Sequence, residues 1–294
     1  MKRNDLLLAL GVAVIWGANF SVIKTGLATV DPFLLTALRF LFCSLPLVFF
    51  VRRPALPLRV VGAYGLLFGL GLWGMVNMAI FMGIAAGLAS LLLQFSAFFT
   101  IILAAVFFGE RIAPPQVLAI FLAFLGLIGI LASTDGSMPL GAALMVVAAA
   151  LCWSLCNLLV RRYRPDDMFA FVIWSGAFAV LPLFALTWLA KGGAPFAALV
   201  RDANGSTVFS VLFQSYVTTI FGYWVWNSLL RKYPASTVAP VSLLVPPVAM
   251  LTSMLVFHER IGGLRLASAG VVLAGLLLFL LAPRVRAAFS AARG

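Results

Sequence analysis

The sequence predicts an all-α membrane protein: ten transmembrane helices forming an inverted repeat of two five-helix halves, with both termini cytoplasmic. Three observations carry this expectation. The 294 residues are 64% hydrophobic and only 10% charged, with a mean hydropathy of +1.15, which lies outside the range of soluble domains. The apolar runs are mostly close to the ~20 residues that a helix needs to cross ~30 Å of hydrocarbon. One stretch also occurs twice: Phe107-Phe108-Gly109-Glu110-Arg111-Ile112 and Val256-Phe257-His258-Glu259-Arg260-Ile261. Glu110 and Glu259 stand 149 positions apart, as do Gly126 and Gly275 in the apolar runs that follow. A repeat of that period divides the chain into residues 1–135 and 136–294. An odd number of spans per half turns the second copy upside down in the bilayer.

The spans fall at roughly 5–24, 32–51, 60–83, 88–109, 115–132, 138–160, 168–190, 207–230, 236–257 and 263–282. Segments on the amino-terminal side of the membrane carry 14 Lys and Arg against 5 on the other, with Arg39 inside a span. The positive-inside rule therefore places both ends in the cytoplasm. A net charge of +12 would suggest a nucleic-acid partner in a soluble protein. Here the basic residues lie between spans and report topology, so no nucleic-acid partner is expected.

In the first span, the apolar run continues past Trp16 and Asn19 without a small-x-small cleavage site, which predicts a retained helix rather than a signal peptide. Trp16 and Asn19 share a helical face. An amide in hydrocarbon needs a partner or water, so Asn19 either lines a cavity or bonds a neighbouring helix. Lys24 near the outer end reads as a snorkelling side chain. The second span opens on Asp31-Pro32, a natural helix start. It contains Arg39, which is either a partner for a substrate carboxylate or a structural tie to backbone carbonyls or a carboxylate such as Glu259. Pro46 and Pro182 occupy matching places in the second and seventh spans and are expected to let these helices bend.

The third span is dense in glycine and carries Trp73 and Asn77 on one face. Gln94 is the polar group in the middle of the very apolar fourth span and is expected to line a pathway. The sixth span repeats the first, with Trp153 and Asn157 followed by Arg161-Arg162. Cys152 and Cys156 read as small buried hydrophobes, because three cysteines and one histidine make no metal set. The stretch from Lys191 to Gly205 reads as the longest loop. In the eighth span Tyr216, Thr219 and Tyr223 fall on one helical face. Tyr216 is the deeper and better pathway candidate, and Trp226 suits an interfacial belt. The ninth span holds Pro240, Ser242, Pro246 and Pro247; three prolines free several carbonyls, which is tolerated where backbone is buried or lines a cavity. That predicts a bending pathway wall.

The repeated Glu-Arg-Ile ends, Trp16-Gly17-Ala18-Asn19, Leu38-Arg39-Phe40 and Ser242-Leu243-Leu244-Val245-Pro246 resemble the drug/metabolite transporter superfamily, in its ten-helix branch of two EamA-type repeats. The stretch from Ala86 through Gln94 to Ile101 is similar to bacterial exporters of O-acetylserine and cysteine, and to YddG-type amino-acid exporters. The resemblance spans residues 5–282. It implies a central cavity lined chiefly by the first, third, fourth, sixth, eighth and ninth helices, and export across a bacterial inner membrane.

The residues themselves narrow the mechanism. No GxxxxGK[ST] stretch supplies ATP drive. All 8 acidic residues lie at or near span ends or in loops, whereas proton relays and cation antiporters keep a carboxylate at depth. Phosphorylated substrates favour clustered Lys and Arg, and only Arg39 is available. What remains is amides, hydroxyls and aromatic faces: Trp16, Asn19, Trp73, Asn77, Gln94, Trp153, Asn157, Tyr216 and Ser242. These suit a neutral or zwitterionic metabolite. The expected protein is a secondary transporter exporting neutral amino acids or related small metabolites by alternating access, without a cofactor or metal, in contact with its substrate and the bilayer. Export of other metabolites or drugs is the alternative; less favoured are a membrane enzyme, which would want an intramembrane catalytic pair that His258 alone does not provide, and a receptor or assembly subunit without transport activity, against which the polar groups spread over several spans argue. A monomer is compatible with this architecture, and the sequence leaves the oligomeric state open.

Overall fold

The computed structural model describes residues 1–110, 112–132, 139–233, 235–259 and 262–291. Arg111, Asp135, Arg260, Ile261 and Arg293 lie outside these, as does the expected boundary between the halves. Among the described residues every regular element is helical. The helices are α1 (Arg3–Gly26), α2 (Pro32–Val48), α3 (Leu58–Phe81), α4 (Ala86–Phe108), α5 (Pro114–Ala132) and α6 (Leu140–Tyr163). They continue as α7 (Met168–Lys191), the short α8 (Ala194–Asp202), α9 (Gly205–Lys232), α10 (Val245–Phe257) and α11 (Gly263–Ala291). Helices α1, α3, α4, α5, α6, α7 and α9 are long and apolar enough to cross a membrane; Pro32–Val48, Val241–Phe257 and Gly263–Phe279 are shorter apolar helices. The protein is an all-α membrane protein.

Local chemistry sets the helix ends. Asp31 Oδ1 accepts from the amides of Phe33 (3.0 Å) and Leu34 (3.2 Å), and Pro32 takes the first helical position of α2. Asp167 caps α7 in the same way, through Phe169 and Ala170. Such caps satisfy amides that the helix itself leaves open. Helices α4 and α10 both end on a left-handed residue: Gly109 at φ 67° and, at the repeat-related position, His258 at φ 52°. Glycine adopts this conformation freely, whereas His258 does so against its Cβ.

Lipid offers no hydrophobic drive for helix association, so close backbone approach and hydrogen bonds must hold the bundle together. The crossing of α5 and α11 illustrates this. A Cβ placed on Gly126 would stand 2.8 Å from Ser268 O and 2.9 Å from Val272 N; one on Gly275 would stand 2.9 Å from Ala119 O and 3.0 Å from Ala123 N. Ala119 and Ser268, like Ala123 and Val272, are 149 residues apart. The contact is therefore reciprocal: each helix presents the same positions to the other. The opposite face of α5 exposes Val117, Leu118, Phe121, Leu125 and Ile128, a stripe suited to lipid. Further in, α2 packs on α7, α1 on α10, and the second part of α4 on α6.

Charged groups gather at the two ends of the bundle. Lys24 pairs with Glu259 and Lys191 with Asp31 at one end, while Asp5 pairs with Lys232 (2.6 Å) at the other. Lys24 is thus not a lone snorkelling side chain. Its ammonium reaches Glu259 and lies 4.6 Å from the Phe257 ring centre. The expected loop after Lys191 contains α8, whose Phe196 stacks on Phe184 and packs tilted against Trp188; without a buried residue, α8 has the character of an interfacial helix.

The prolines differ in effect. Pro46 and Pro182 lie inside continuous helices, whereas Pro246 and Pro247 occupy the first turn of α10, where a missing amide costs nothing. Pro240 belongs to a 3₁₀ segment, Ala239–Leu244, that leads into α10. The irregularity of this span comes from that segment.

Candidate functional site

Four segments of irregular backbone surround the middle of the bundle. Helix α3 opens into a π-helical stretch at Leu67–Gly74, and α9 does so at Phe213–Phe221. Helix α4 is interrupted at Gln94, where amide bonds run three residues back, from Gln94 to Leu91 and from Ala97 to Gln94. The 3₁₀ segment before α10 is the fourth. Single π turns inside α-helices occur often at functional sites, and irregular backbone at depth is favoured where it faces protein or a cavity.

Between these segments lies an aromatic and polar cluster. Trp16 Nε1 donates to Thr218 O (3.2 Å), and the Trp16 ring packs on Tyr223 and Trp226 with centroids 5.4 and 5.1 Å away. Phe68 touches both Tyr223 (5.8 Å) and Trp153 (5.6 Å). Thr218 Oγ1 donates to the Oδ1 of the fully buried Asn19 at 3.0 Å. Trp73, in the π stretch of α3, packs on Phe20 and carries the Arg39 guanidinium 4.0 Å from its ring centre. The structure therefore brings Trp16, Asn19, Arg39, Trp73 and Trp153 into one neighbourhood formed by α1, α2, α3, α6 and α9.

Arg39 is fully buried. Its Nε donates to Thr219 Oγ1 at 3.0 Å, and its backbone carbonyl accepts from Ser215 Oγ. The tie to Glu259 considered from the sequence is not made, because Glu259 is held by Lys24 and Ser253. Asn77 is also fully buried, and its Nδ2 donates to Thr36 Oγ1 at 2.8 Å, which binds α3 to α2.

A second polar patch joins α4 to α6. Asn157 Nδ2 donates to Thr100 Oγ1 (3.2 Å), and Ser154 Oγ to Ser96 O (2.9 Å). Gln94 is half-buried at the interruption of α4, two positions before Ser96, and Ser242 is half-buried in the 3₁₀ segment. Tyr216 departs from expectation: it is 43% exposed on the outside of α9. The π stretch explains this. A π turn takes more residues than an α turn, so the offsets of three and seven that align Tyr216 with Thr219 and Tyr223 on an α-helix fail here. Thr219 and Tyr223 face the cluster instead. Trp226 packs on Trp16. Two open hollows, of 450 and 320 Å³, lie at the end carrying Arg231 and Arg164 respectively; neither is lined by the central cluster.

An all-helical membrane bundle with a polar aromatic centre and ion pairs at its ends has the layout of a transporter, and comparison with known proteins makes the assignment. The EamA-like transporter family matches residues 4–132 and again 140–281. The chain belongs to this family. It is 38% identical over 293 residues to a probable amino-acid metabolite efflux pump of Salmonella typhimurium, covering 97% of this chain and 98% of that one. The protein of the same description from Escherichia coli is 37% identical over 285 residues, covering 95% of each chain. A probable terminal-alkyne amino-acid exporter of Streptantibioticus cattleyicolor is 28% identical, covering 95% of this chain and 94% of that one. A solved crystal structure shares the fold with a TM-score of 0.60 at 17% identity, covering 97% of this chain and 99% of that one.

Several members of the central cluster escape the sequence reading. Phe68 is one phenylalanine among 26, with nothing local to distinguish it. Thr218 and Ser215 pair with residues of α1 and α2 that lie 199 and 176 positions away. The hydroxyl density of Gln214–Thr219 is the one signal that could have found them.

Proposed function

We propose that the protein exports neutral amino acids or related small metabolites from the bacterial cytoplasm, by alternating access to the central aromatic site. The observation that carries this reading is near-full-length similarity to proteins described as probable amino-acid metabolite efflux pumps. The character of the centre supports it, since indole faces, amides and hydroxyls accept zwitterions of varied shape. In this reading Trp16, Asn19, Trp73, Gln94, Trp153, Asn157 and Ser242 border the pathway, with Thr219 and Tyr223 taking the place of Tyr216.

The proposed architecture is ten spans in two inverted halves, residues 1–135 and 136–294, with both termini in the cytoplasm. Reciprocal contacts support it. At the α5–α11 crossing, Gly126 meets residues 268 and 272, and Gly275 meets their counterparts 119 and 123. The end ion pairs obey the same relation. Lys24 of α1 holds Glu259 after α10, and Arg161 of α6 donates to Glu110 after α4 at 3.0 Å. Lys24 and Arg161 are 137 residues apart, as are Trp16 and Trp153. With the termini inside, the Lys24 pair closes the outer end and the Arg161 pair the cytoplasmic end. Alternating access is then the opening of one latch while the other stays shut.

Counterflow uptake in proteoliposomes preloaded with neutral amino acids, with and without an imposed pH gradient, tests the function. Exchange of threonine, methionine or cysteine is the expected result, and silence across the panel with folded protein would overturn the reading.

A further inference from the structure

Arg39 presents an unusual imbalance. It is 0% exposed, yet its two terminal nitrogens, Nη1 and Nη2, have no hydrogen-bond partner. Nor, among the described residues, does a carboxylate stand opposite. Asp5, Asp31, Glu110, Asp202 and Glu259 are each paired with another cation, and Asp166 and Asp167 border the hollow at the Arg52–Arg53 end. The titratable side chains near enough to interact with Arg39 are Tyr223 and Cys43. A guanidinium held by its Nε and stacked on an indole keeps its outer edge free, and that edge is the fork that matches a carboxylate through two parallel hydrogen bonds. A buried cation without a counter-charge is costly, and an arriving anion removes that cost.

Two further observations point to a ligand here. The Trp73 Nε1 and Asn19 Nδ2 donors are also buried without acceptors, so the same neighbourhood holds spare N–H groups besides those of Arg39. The guanidinium also sits between Trp73 of the π stretch in α3 and Thr219 of the π stretch in α9. It is thus clamped by the two most irregular backbones around it, and irregular helical turns adapt more readily than regular ones.

We propose that Arg39 is the carboxylate subsite of the transport pathway: Nη1 and Nη2 take the substrate's carboxylate as a bidentate pair, with the Trp73 ring as the supporting wall. The substrate class is then carboxylate-bearing metabolites, α-amino acids above all, and not their amides, esters or amines. This rests on the export reading and names what that site selects.

The test compares L-threonine, L-methionine and L-cysteine with their primary amides and decarboxylated amines as competitors in counterflow by the wild-type protein. Loss of a charge-assisted pair predicts that amides and amines compete about tenfold to a hundredfold more weakly than the acids. Arg39→Gln should lose that preference, and Arg39→Lys should keep it with weaker binding. Equal competition by amides or amines in the wild type would overturn the carboxylate subsite while leaving export standing, and it needs no variant to fold. An Arg39→Gln protein that transports and still prefers acids would overturn it as well. Absence of exchange with every amino acid would remove the export reading and this subsite with it.

Discussion

The latch assignment predicts an asymmetric response to charge removal. The side chains of Lys24 and Glu259 are 33% and 14% exposed, whereas those of Arg161 and Glu110 are 46% and 44% exposed. Glu259 also accepts from Ser253 Oγ. Hydrogen bonds to charged groups contribute about 1.5–3 kcal/mol when shielded, and the partial exposure of Lys24 lowers this to about 1–2 kcal/mol. The more exposed Arg161 pair belongs with surface ion pairs, at about 0.2–1 kcal/mol. Glu259→Gln should therefore favour opening of the α1–α10 end by about 5–30-fold, and Glu110→Gln should favour opening of the α4–α6 end by no more than about 5-fold. Hydrogen–deuterium exchange in lipid nanodiscs reads both ends separately, through peptides near residues 20–27 and 250–259 and near 104–110 and 158–164. In Glu259→Gln the first set should exchange faster while the second stays unchanged or slows, because one latch remains shut when the other opens. The charge reversal Lys24→Glu with Glu259→Lys should restore most of the protection. Equal acceleration at both ends, or a larger effect from Glu110→Gln, would refute the reasoning.

Other predictions follow from single contacts. Gly126→Ala and Gly275→Ala each drive a methyl against backbone that cannot rotate away, so each should cost about 1–3 kcal/mol in unfolding of the detergent-solubilised protein. Gly270→Ala, with no atom within 4 Å of the new Cβ, is the harmless control. His258→Gly should gain up to about 1 kcal/mol by relieving the left-handed helix end, and Gly109→Ala should lose about 1–2 kcal/mol at the related position, in the same assay. Trp153→Ala and Gln94→Ala should impair counterflow while leaving membrane insertion intact; normal flux in both would remove these residues from the pathway.

The sequence announces the helices because membrane thickness imposes a length and lipid imposes a composition, and both are local properties. It also announces the matching positions of Glu110 and Glu259, Gly126 and Gly275, and Trp16 and Trp153, because repetition needs no partner to be visible. What it conceals depends on backbone irregularity or on distant pairing. Helical spacing puts Tyr216 inside, but the π stretch at Phe213–Phe221 turns it outward and brings Tyr223 in. Lys24 reads as a snorkelling cation because its partner Glu259 lies 235 residues further along. Arg39 is conspicuous in the sequence; that its Nη atoms are left free emerges only when the described carboxylates have been placed.

The irregular segments recur at positions that correspond in the proposed two-half arrangement, and this bears on how such a bundle would move. Helices α3 and α9 both carry π stretches, and the interruption at Gln94 in α4 corresponds to the 3₁₀ segment ending at Leu244 before α10. A regular α-helix is a stiff rod, so bending concentrates where its hydrogen-bond ladder is already broken. In the proposed inverted arrangement each weak point has a counterpart aimed at the opposite face, and the two latches sit beyond them at the ends of α1, α10, α6 and α4. The α5–α11 crossing, by contrast, is built from regular helices in close backbone contact. It suits the role of a fixed pivot about which the irregular helices rock. Stiffening α3 by replacing Gly71 is a poor test of this, because the added methyl would also strike Cys152 at 2.7 Å. Gly74→Ala is cleaner: its nearest neighbours are the Phe33 ring atoms at 3.3 Å, which can give slightly. If rocking depends on the π stretch, this variant should slow counterflow several-fold while keeping or raising thermal stability, since alanine favours the helix over glycine by about 1 kcal/mol. Unaltered flux in a stabilised Gly74→Ala protein would show that α3 does not bend during transport.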